Sequence, residues 1–420
     1  MLLGEASAPT TTEALLRPRQ RMPDAPSSQR SAGPALRLYY ATSFAALGAY
    51  IPYFPAWLAL QGFVGLRMSA ITALLPAMSI VAPPLFGLLA DRFGMRTSLL
   101  RVASGGAFLA FAAVFALSAS GAPPPFLPLF LAVMAFALFR SPMVLLADVV
   151  ALEQSANYGR LRLWGSLGFL GMALAAGRWL DGAATVGIPA TIALALLLAF
   201  LSATRLPAQP PAPGRPVWTL AGALLRSPDF AWFLCAAFLW LGAHAGYDLC
   251  ITLHLRDLGA SGTLIGAAWA LATLVEVLWM AASARALRIW SPARLFGVGL
   301  TAATVRWLLL GSIQSLPVLL ALQPLHALSF GVVWIAATAH LKERSREALA
   351  TAQGLFSAAL SCGGVLGMLT WGQLYQRAGG AAVFRGCALV GGLSVLAAIA
   401  FAAACRRAAP VREPLEQKAR

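Results

Sequence analysis

Eight ionisable side chains lie inside long apolar runs: Arg140, Asp148, Arg162, His244, Asp248, Glu276, Arg306 and His326. At the centre of a bilayer such a group costs about 2.5–3.5 kcal/mol, so each needs a partner or a task. Carboxylates and imidazoles can take up and release protons. A guanidinium offers a planar fork to a carboxylate, or bonds to hydroxyls. Glu276, in ALATLVEVLWMAA, has no other charge within a turn. Exclusion of solvent and a nearby Arg306 would pull its ionisation in opposite senses, as a proton-exchanging group requires. The plainer alternative is a Glu–Arg pair that locks two helices. His326 and His244 are further proton or binding groups, or hydrogen-bonded core histidines. Asp248, in HAGYDLC, either widens a proton pathway or faces water. Arg140 and Asp148 are eight residues apart, roughly one helix face. With Arg162 they would line a cavity opposite the Glu276 group, although Asp148 also suits an interfacial acid. Tyr50, Tyr53, Trp57, Tyr247 and Trp269 can stack on a ring or mark the interface belts. His254 and His340, at run ends, read as interfacial.

No run contains HExxH, GxSxG or paired catalytic aspartates. No enzymatic activity, metal or cofactor is therefore expected. Cys235, Cys250, Cys362, Cys387 and Cys405 form no CxxC pair and read as small apolar packing residues.

The elements that must position these groups follow from composition. Of 420 residues, 59% are apolar and 11% charged, and the mean hydropathy is +0.75. A soluble domain carries about 25% charged residues, so lipid is the expected solvent. The net charge of +16 sits in short caps between apolar runs. No basic stretch has the length and aromatic interleaving of a nucleic-acid surface, so no such partner is expected. Runs long enough to cross a bilayer fall near 37–61, 68–90, 97–119, 125–150, 160–181, 184–203, 229–254, 262–284, 293–313, 317–340, 348–374 and 381–404. The expected fold is an all-α membrane protein of twelve transmembrane helices, with six in each of two bundles.

With both termini inside, 24 of the 31 Lys and Arg fall in cytoplasmic segments, as the positive-inside rule requires. Residues 1–36 contain no apolar signal region and read as a disordered cytoplasmic tail; 405–420 form the other tail. The Pro-rich stretch 204–228 would link a bundle at 37–203 to one at 229–404. The halves share an offset. Gly48 and Ile71 fall 194 residues before Gly242 and Ile265, and Gly159, Ser166, Gly168 and Gly177 fall 195 before Gly354, Ser361, Gly363 and Gly372. Arg outnumbers Lys 29 to 2 among abundant Ala, Gly and Pro, which suggests a bacterial source and hence the inner membrane. Counted at 1.5 Å per residue, Glu276 lies about 14 Å deep, Arg140 about 16 Å, and His244, Arg306 and His326 about 21–22 Å. One such layer suits a binding and coupling site between bundles.

The loop GLLADRFGMR, Gly87 to Arg96, resembles the signature of the major facilitator superfamily, with Gly87, Asp91, Arg92, Gly94 and Arg96 in place. Gly87 would permit close helix approach, Asp91 would cap a helix N-terminus, and the arginines would pair across a cytoplasmic gate. The matching second-half segment, ARALRIWSPAR, lacks the acid. YGRLRLWGSLGF, Tyr158 to Phe169, and LQPLHALSFG, Leu322 to Gly331, resemble the phenylpropionate permeases, relatives of the lactose permease-type proton symporters. This resemblance spans most of 37–404. It implies that Glu276, Arg306 and His326 lie in a transport cavity and that Arg162 binds substrate. Ser329 replaces an acid and Phe169 a sugar-stacking Trp of the lactose type, which disfavours a disaccharide. Asp248 stands where the phenylpropionate group has an aromatic residue, whereas His244 matches a histidine of that group. GSLGFLGMALAAG lacks the Gly-Pro signature of drug antiporters.

The resemblance implies alternating access by a monomer whose partners are the bilayer, a small solute and a proton. Proton-coupled import is expected, with Glu276, His326, Arg306 and Asp248 in coupling. Substrate would meet Arg162, Arg140, Asp148, His244, Phe169, Tyr247 and Trp269. An aromatic or apolar monocarboxylate is the expected cargo. A sugar or nucleoside symporter, a facilitator or exporter on the same fold, and a solute-sensing receptor are the alternatives.

Overall fold

The computed structural model describes residues 27–93, 95–119, 121–154, 158–182, 186–207, 221–344 and 349–408. The remaining tail and linker residues, Gly94 and the side chain of Asp91 lie outside the described residues.

The described chain is almost wholly helical: α1 (Ser27–Leu60), α2 (Gly65–Thr72), α3 (Leu74–Phe93), α4 (Arg96–Ser118), α5 (Phe126–Arg140), α6 (Met143–Gln154), α7 (Tyr158–Ala176), α8 (Arg178–Asp181), α9 (Gly187–Thr204), α10 (Ala221–Arg226), α11 (Pro228–Asp257), α12 (Gly262–Ile289), α13 (Pro292–Ser312), α14 (Leu316–Ala321), α15 (Val333–Arg344) and α16 (Leu349–Ala408). The first helix begins inside the expected tail, α10 lies inside the expected linker, and α16 ends at Ala408.

Ten helical segments among the described residues are long and apolar enough to cross a membrane. At 60 residues α16 would extend about 90 Å if straight, some three times a bilayer core. It breaks at Gly379, where φ 73° and ψ 179° suit only glycine. Two other runs are interrupted where proline removes a backbone donor. Ser141 and Pro142 separate α5 from α6, which puts Arg140 and Asp148 on different helices. Between α14 and α15 the chain forms a 3-10 turn, Gln323–Leu325, and a π turn, Ala327–Val332, with His326 at their junction. Such irregular turns recur at functional positions in membrane helices.

Within the first half α1 packs on α7 and α9, and α4 on α5 and α9; within the second, α11 and α13 pack on α16. The halves meet through α7 and α8 on α12, α2 and α3 on α16, and α1 on α11. A Cβ on Gly177 would strike the carbonyl of Gly262, and one on Gly372 would strike Ser69. Asp181 Oδ1 and Oδ2 accept from the backbone N–H of Gly262 at 2.6 Å and of Thr263 at 3.3 Å. The Tyr53 hydroxyl donates to the carbonyl of Ala173. These close contacts sit at the end of the molecule that carries residues 60–65, 176–187 and 257–262. At the other end Gly87 has open space, since a Cβ there would meet nothing within 4 Å. The close approach expected of Gly87 is therefore not made here, because the halves are in contact at the opposite end.

His254 and His340 lie near the ends of α11 and α15, where the run ends place them, and like the aromatic residues they are covered by neighbouring helices. Tyr50, Tyr53, Trp57, Tyr247, Trp269, His254 and His340 are all buried. Tyr50 and Phe54 stack at 4.8 Å; His254 meets Phe384 at 5.4 Å, and His340 sits between Phe233 and Phe401. Neighbouring helices cover these run ends, which hydropathy along a single run does not register.

Candidate functional site

The second half gathers its ionisable groups into one knot. Arg306, on α13, is fully buried. Its Nη2 donates to Gln323 Oε1 at 3.0 Å. Nη1 lies 3.3 Å from His326 Nδ1 and 3.4 Å from the Ser329 hydroxyl. The guanidinium sits 4.2 Å over the Tyr247 ring, a cation–π contact that desolvation strengthens. Tyr247 in turn donates to Gln323 Oε1 at 2.9 Å, and Gln323 Nε2 to the Leu319 carbonyl at 2.8 Å. The irregular turns at 323–332 place Gln323, His326 and Ser329 on this one arginine.

Two acids of this half pair with imidazoles. Glu276 Oε2 lies 3.4 Å from His326 Nε2, and Asp248 Oδ1 lies 3.6 Å from His244 Nε2. The two histidine rings are 5.5 Å apart. Glu276 therefore pairs with His326, whereas the alternative helix lock was drawn to Arg306. Counting depth along helices gives a common layer, but not which side chains meet within it.

An aromatic row leaves the knot toward the other half. Tyr247 lies 5.1 Å from Trp269, and Trp269 lies 6.5 Å from Phe169 on α7. Trp269 Nε1 donates to Thr252 at 3.0 Å. Phe169 and Trp269 thus face each other across the junction of the halves.

The first half carries a smaller polar group. Arg162 Nη1 lies 3.7 Å from Asp148 Oδ1, and the Tyr40 hydroxyl donates to the same oxygen at 2.6 Å. The Arg162 guanidinium stacks 4.5 Å over Phe44. Arg140 is buried at 3% exposure, and its Nε and Nη2 lack hydrogen-bond partners among the described residues. No described carboxylate lies within ion-pair distance of Arg140 or Arg306. At the signature loop Arg92 lies 5.6 Å over the ring of its neighbour Phe93, and Arg96 opens α4.

Gln323 had no place in the sequence reading, yet it joins Arg306 to Tyr247. The one signal was an amide in an apolar run, one turn before His326. No group of three or more metal-ligating side chains occurs among the described residues.

The family model described as "MFS_1 like family" matches residues 35–386. The chain is 34% identical over 277 residues to "Maltose permease" of Geobacillus stearothermophilus, covering 64% of this chain and 69% of that protein. It is 31% identical over 366 residues to "Probable 3-phenylpropionic acid transporter" of Escherichia coli (strain K12), covering 82% and 91%. The crystal structure of the nucleoside transporter NupG superposes with a TM-score of 0.73 at 18% identity, covering 89% of this chain and 99% of that one. A multi-pass helical chain with this match over most of its length, and no enzyme among these relatives, belongs to the MFS_1 like family of major facilitator transporters.

Proposed function

We propose that this chain imports a small monocarboxylate with an aromatic or apolar body, together with a proton. The observation that carries the reading is Arg306: a fully buried guanidinium held by Gln323, His326, Ser329 and the Tyr247 ring, with no described carboxylate within ion-pair distance. A buried charge without a counter-charge is costly, and a guanidinium fork suits a substrate carboxylate. The ionisable groups balance this way too. Arg140, Arg162 and Arg306 face Asp148, Asp248 and Glu276, so protonating Glu276 leaves one positive charge for an anion to neutralise. Anion and proton then move together without net charge. His326 touches both Glu276 and Arg306 and so couples proton exchange at the acid to the charge of the guanidinium, and Asp248 with His244 extends the proton path. The row Tyr247, Trp269 and Phe169 receives an apolar body, and Arg140, Asp148 and Arg162 close the site from the first half. The relative named for 3-phenylpropionic acid supports this cargo.

The proposed topology is twelve crossings with both termini cytoplasmic, in a bacterial inner membrane and as a monomer. The break at Gly379 and the interleaving of α7 with α1 support that number. The closed end is then the outer one, so this conformation opens inward. The loop from Gly87 to Arg96, with Asp91, Arg92 and Gly94, serves the inner gate, which the rocking bundles close.

A neutral sugar or nucleoside is the second reading, favoured by the 34% identity to a maltose permease and by the hydroxyl-bonding capacity of Arg306 and Gln323. Uptake of 3-phenylpropionate and of its neutral amide into proteoliposomes under an inward proton gradient separates the two. The carboxylate reading expects accumulation of the acid alone. Equal uptake of both, or uptake of maltose alone, overturns it. Equilibration that ignores the gradient, without accumulation, identifies a facilitator, and binding without flux a receptor.

A further inference from the structure

A cleft of about 700 Å³ runs between α13 and the last part of α16; Val305 and Leu325, the chain neighbours of Arg306 and His326, line it, but no residue of the knot itself does. Its walls are two helical stripes. Along α13 the lining residues Arg294, Gly297 and Thr301 recur at spacings of three and four, and along α16 Ala398 and Ala402 do so at four. Small side chains hollow both walls, and a Cβ on Gly297 would meet nothing within 4 Å. The Thr301 hydroxyl is turned back onto the Gly297 carbonyl at 2.9 Å. What remains facing outward is apolar.

Both stripes end in an arginine at the same end of the cleft. Arg294 lines it directly, and Arg406 follows Ala402 by one helical turn; both are exposed. Trp290 lines that end as well, as an aromatic at headgroup level would. The described residues of 285–298 and 398–408 include no acid. No described residue pairs with the Arg294 guanidinium. An apolar trough that closes on unpaired guanidinium groups complements a molecule with an anionic head and a hydrocarbon tail. Basic pockets between membrane helices take such headgroups.

We infer that this cleft is a binding site for an anionic glycerophospholipid. Its phosphate lies between Arg294 and Arg406, and one acyl chain lies along Gly297, Thr301, Ala398 and Ala402. The site is separate from the transport cavity and faces the bilayer.

Native mass spectrometry of the purified full chain tests this, with phosphatidylglycerol and phosphatidylcholine of identical chains as probes. The wild type should retain phosphatidylglycerol preferentially. Arg294→Gln and Arg406→Gln should each lower that retention about fivefold, whereas Arg288→Gln, off both stripes, should change it far less. Gly297→Leu, which fills the trough, should reduce retention of both lipids. Equal retention of the two lipids by the wild type overturns the proposal. So does an Arg288→Gln loss as large as that of Arg294→Gln, which identifies a diffuse basic rim. Displacement of the lipid by free glycerophosphate at equal concentration also overturns it, because the tail then contributes nothing. Arg294 is exposed, so its variant keeps the test decisive if Gly297→Leu fails to fold.

Discussion

The two halves repeat one another in packing and diverge in chemistry at the same place. Tyr50 and Phe136 stand 194 residues before His244 and Phe330, as Gly48 does before Gly242, and Phe111 stands 195 before Arg306, as Gly159 does before Gly354. In the second half these positions hold a charged knot, with His244 5.0 Å from Phe330 and 5.5 Å from His326. In the first they hold rings alone, with Tyr50 5.2 Å from Phe136 and Phe111 4.8 Å from Phe136. At these three positions the first bundle packs rings, whereas the second places two ionisable groups, His244 and Arg306; the first keeps its charges, Arg140, Asp148 and Arg162, elsewhere. The proposed division of labour follows: proton exchange and anion capture in the second half, a rigid counter-surface with Arg162 and Asp148 in the first.

The largest effect should come from erasing that contrast. Phe111→Arg puts a guanidinium among Tyr50, Phe54 and Phe136, where no described carboxylate balances it, at about 3 kcal/mol or more. The variant should lose folded protein on size-exclusion analysis, and a well-folded Phe111→Arg would show that this ring cluster tolerates charge as the Arg306 knot does. Next, Glu276→Gln keeps shape and removes the titratable acid. It should bring accumulation of substrate against a gradient to nothing while counterflow persists; accumulation at the wild-type level would falsify the assignment. Gln323→Glu gives Arg306 an internal carboxylate at the place where Gln323 now accepts at 3.0 Å. It should weaken carboxylate uptake roughly tenfold, since a charge-assisted pair competes with the substrate. Unchanged half-saturation in uptake assays would remove Arg306 from the anion site. The smallest effect belongs to the gate. Asp91→Asn should slow transport without removing binding, and loss of ligand-induced thermal stabilisation would make that loop part of the site.

Much of this was legible in the sequence because lipid makes charge conspicuous. Glu276, Arg306 and His326 stood out as ionisable groups in apolar runs, and the signature loop marked the family. Gln323 did not stand out, because a neutral amide carries no comparable penalty and its importance comes from bridging Arg306 and Tyr247. The pairing of Glu276 with His326 was hidden for a related reason: depth along a helix says nothing of the direction a side chain takes across it. The burial of His254 and His340 by neighbouring helices leaves no trace in a single run. The break in the fourth run was written in Pro142, yet its consequence, the separation of Arg140 from Asp148, is a matter of three-dimensional path.

On the proposed mechanism, substrate anion and proton cross together through the second-half knot. Proteoliposomes clamped at zero membrane potential, with an external pH electrode, read that coupling. Adding 3-phenylpropionate should alkalinise the medium as anion and proton enter together. Glu276→Gln should abolish the pH change while leaving exchange of labelled substrate. Uptake of the anion with no change in external pH, or an equal pH change from the neutral amide, would contradict the account.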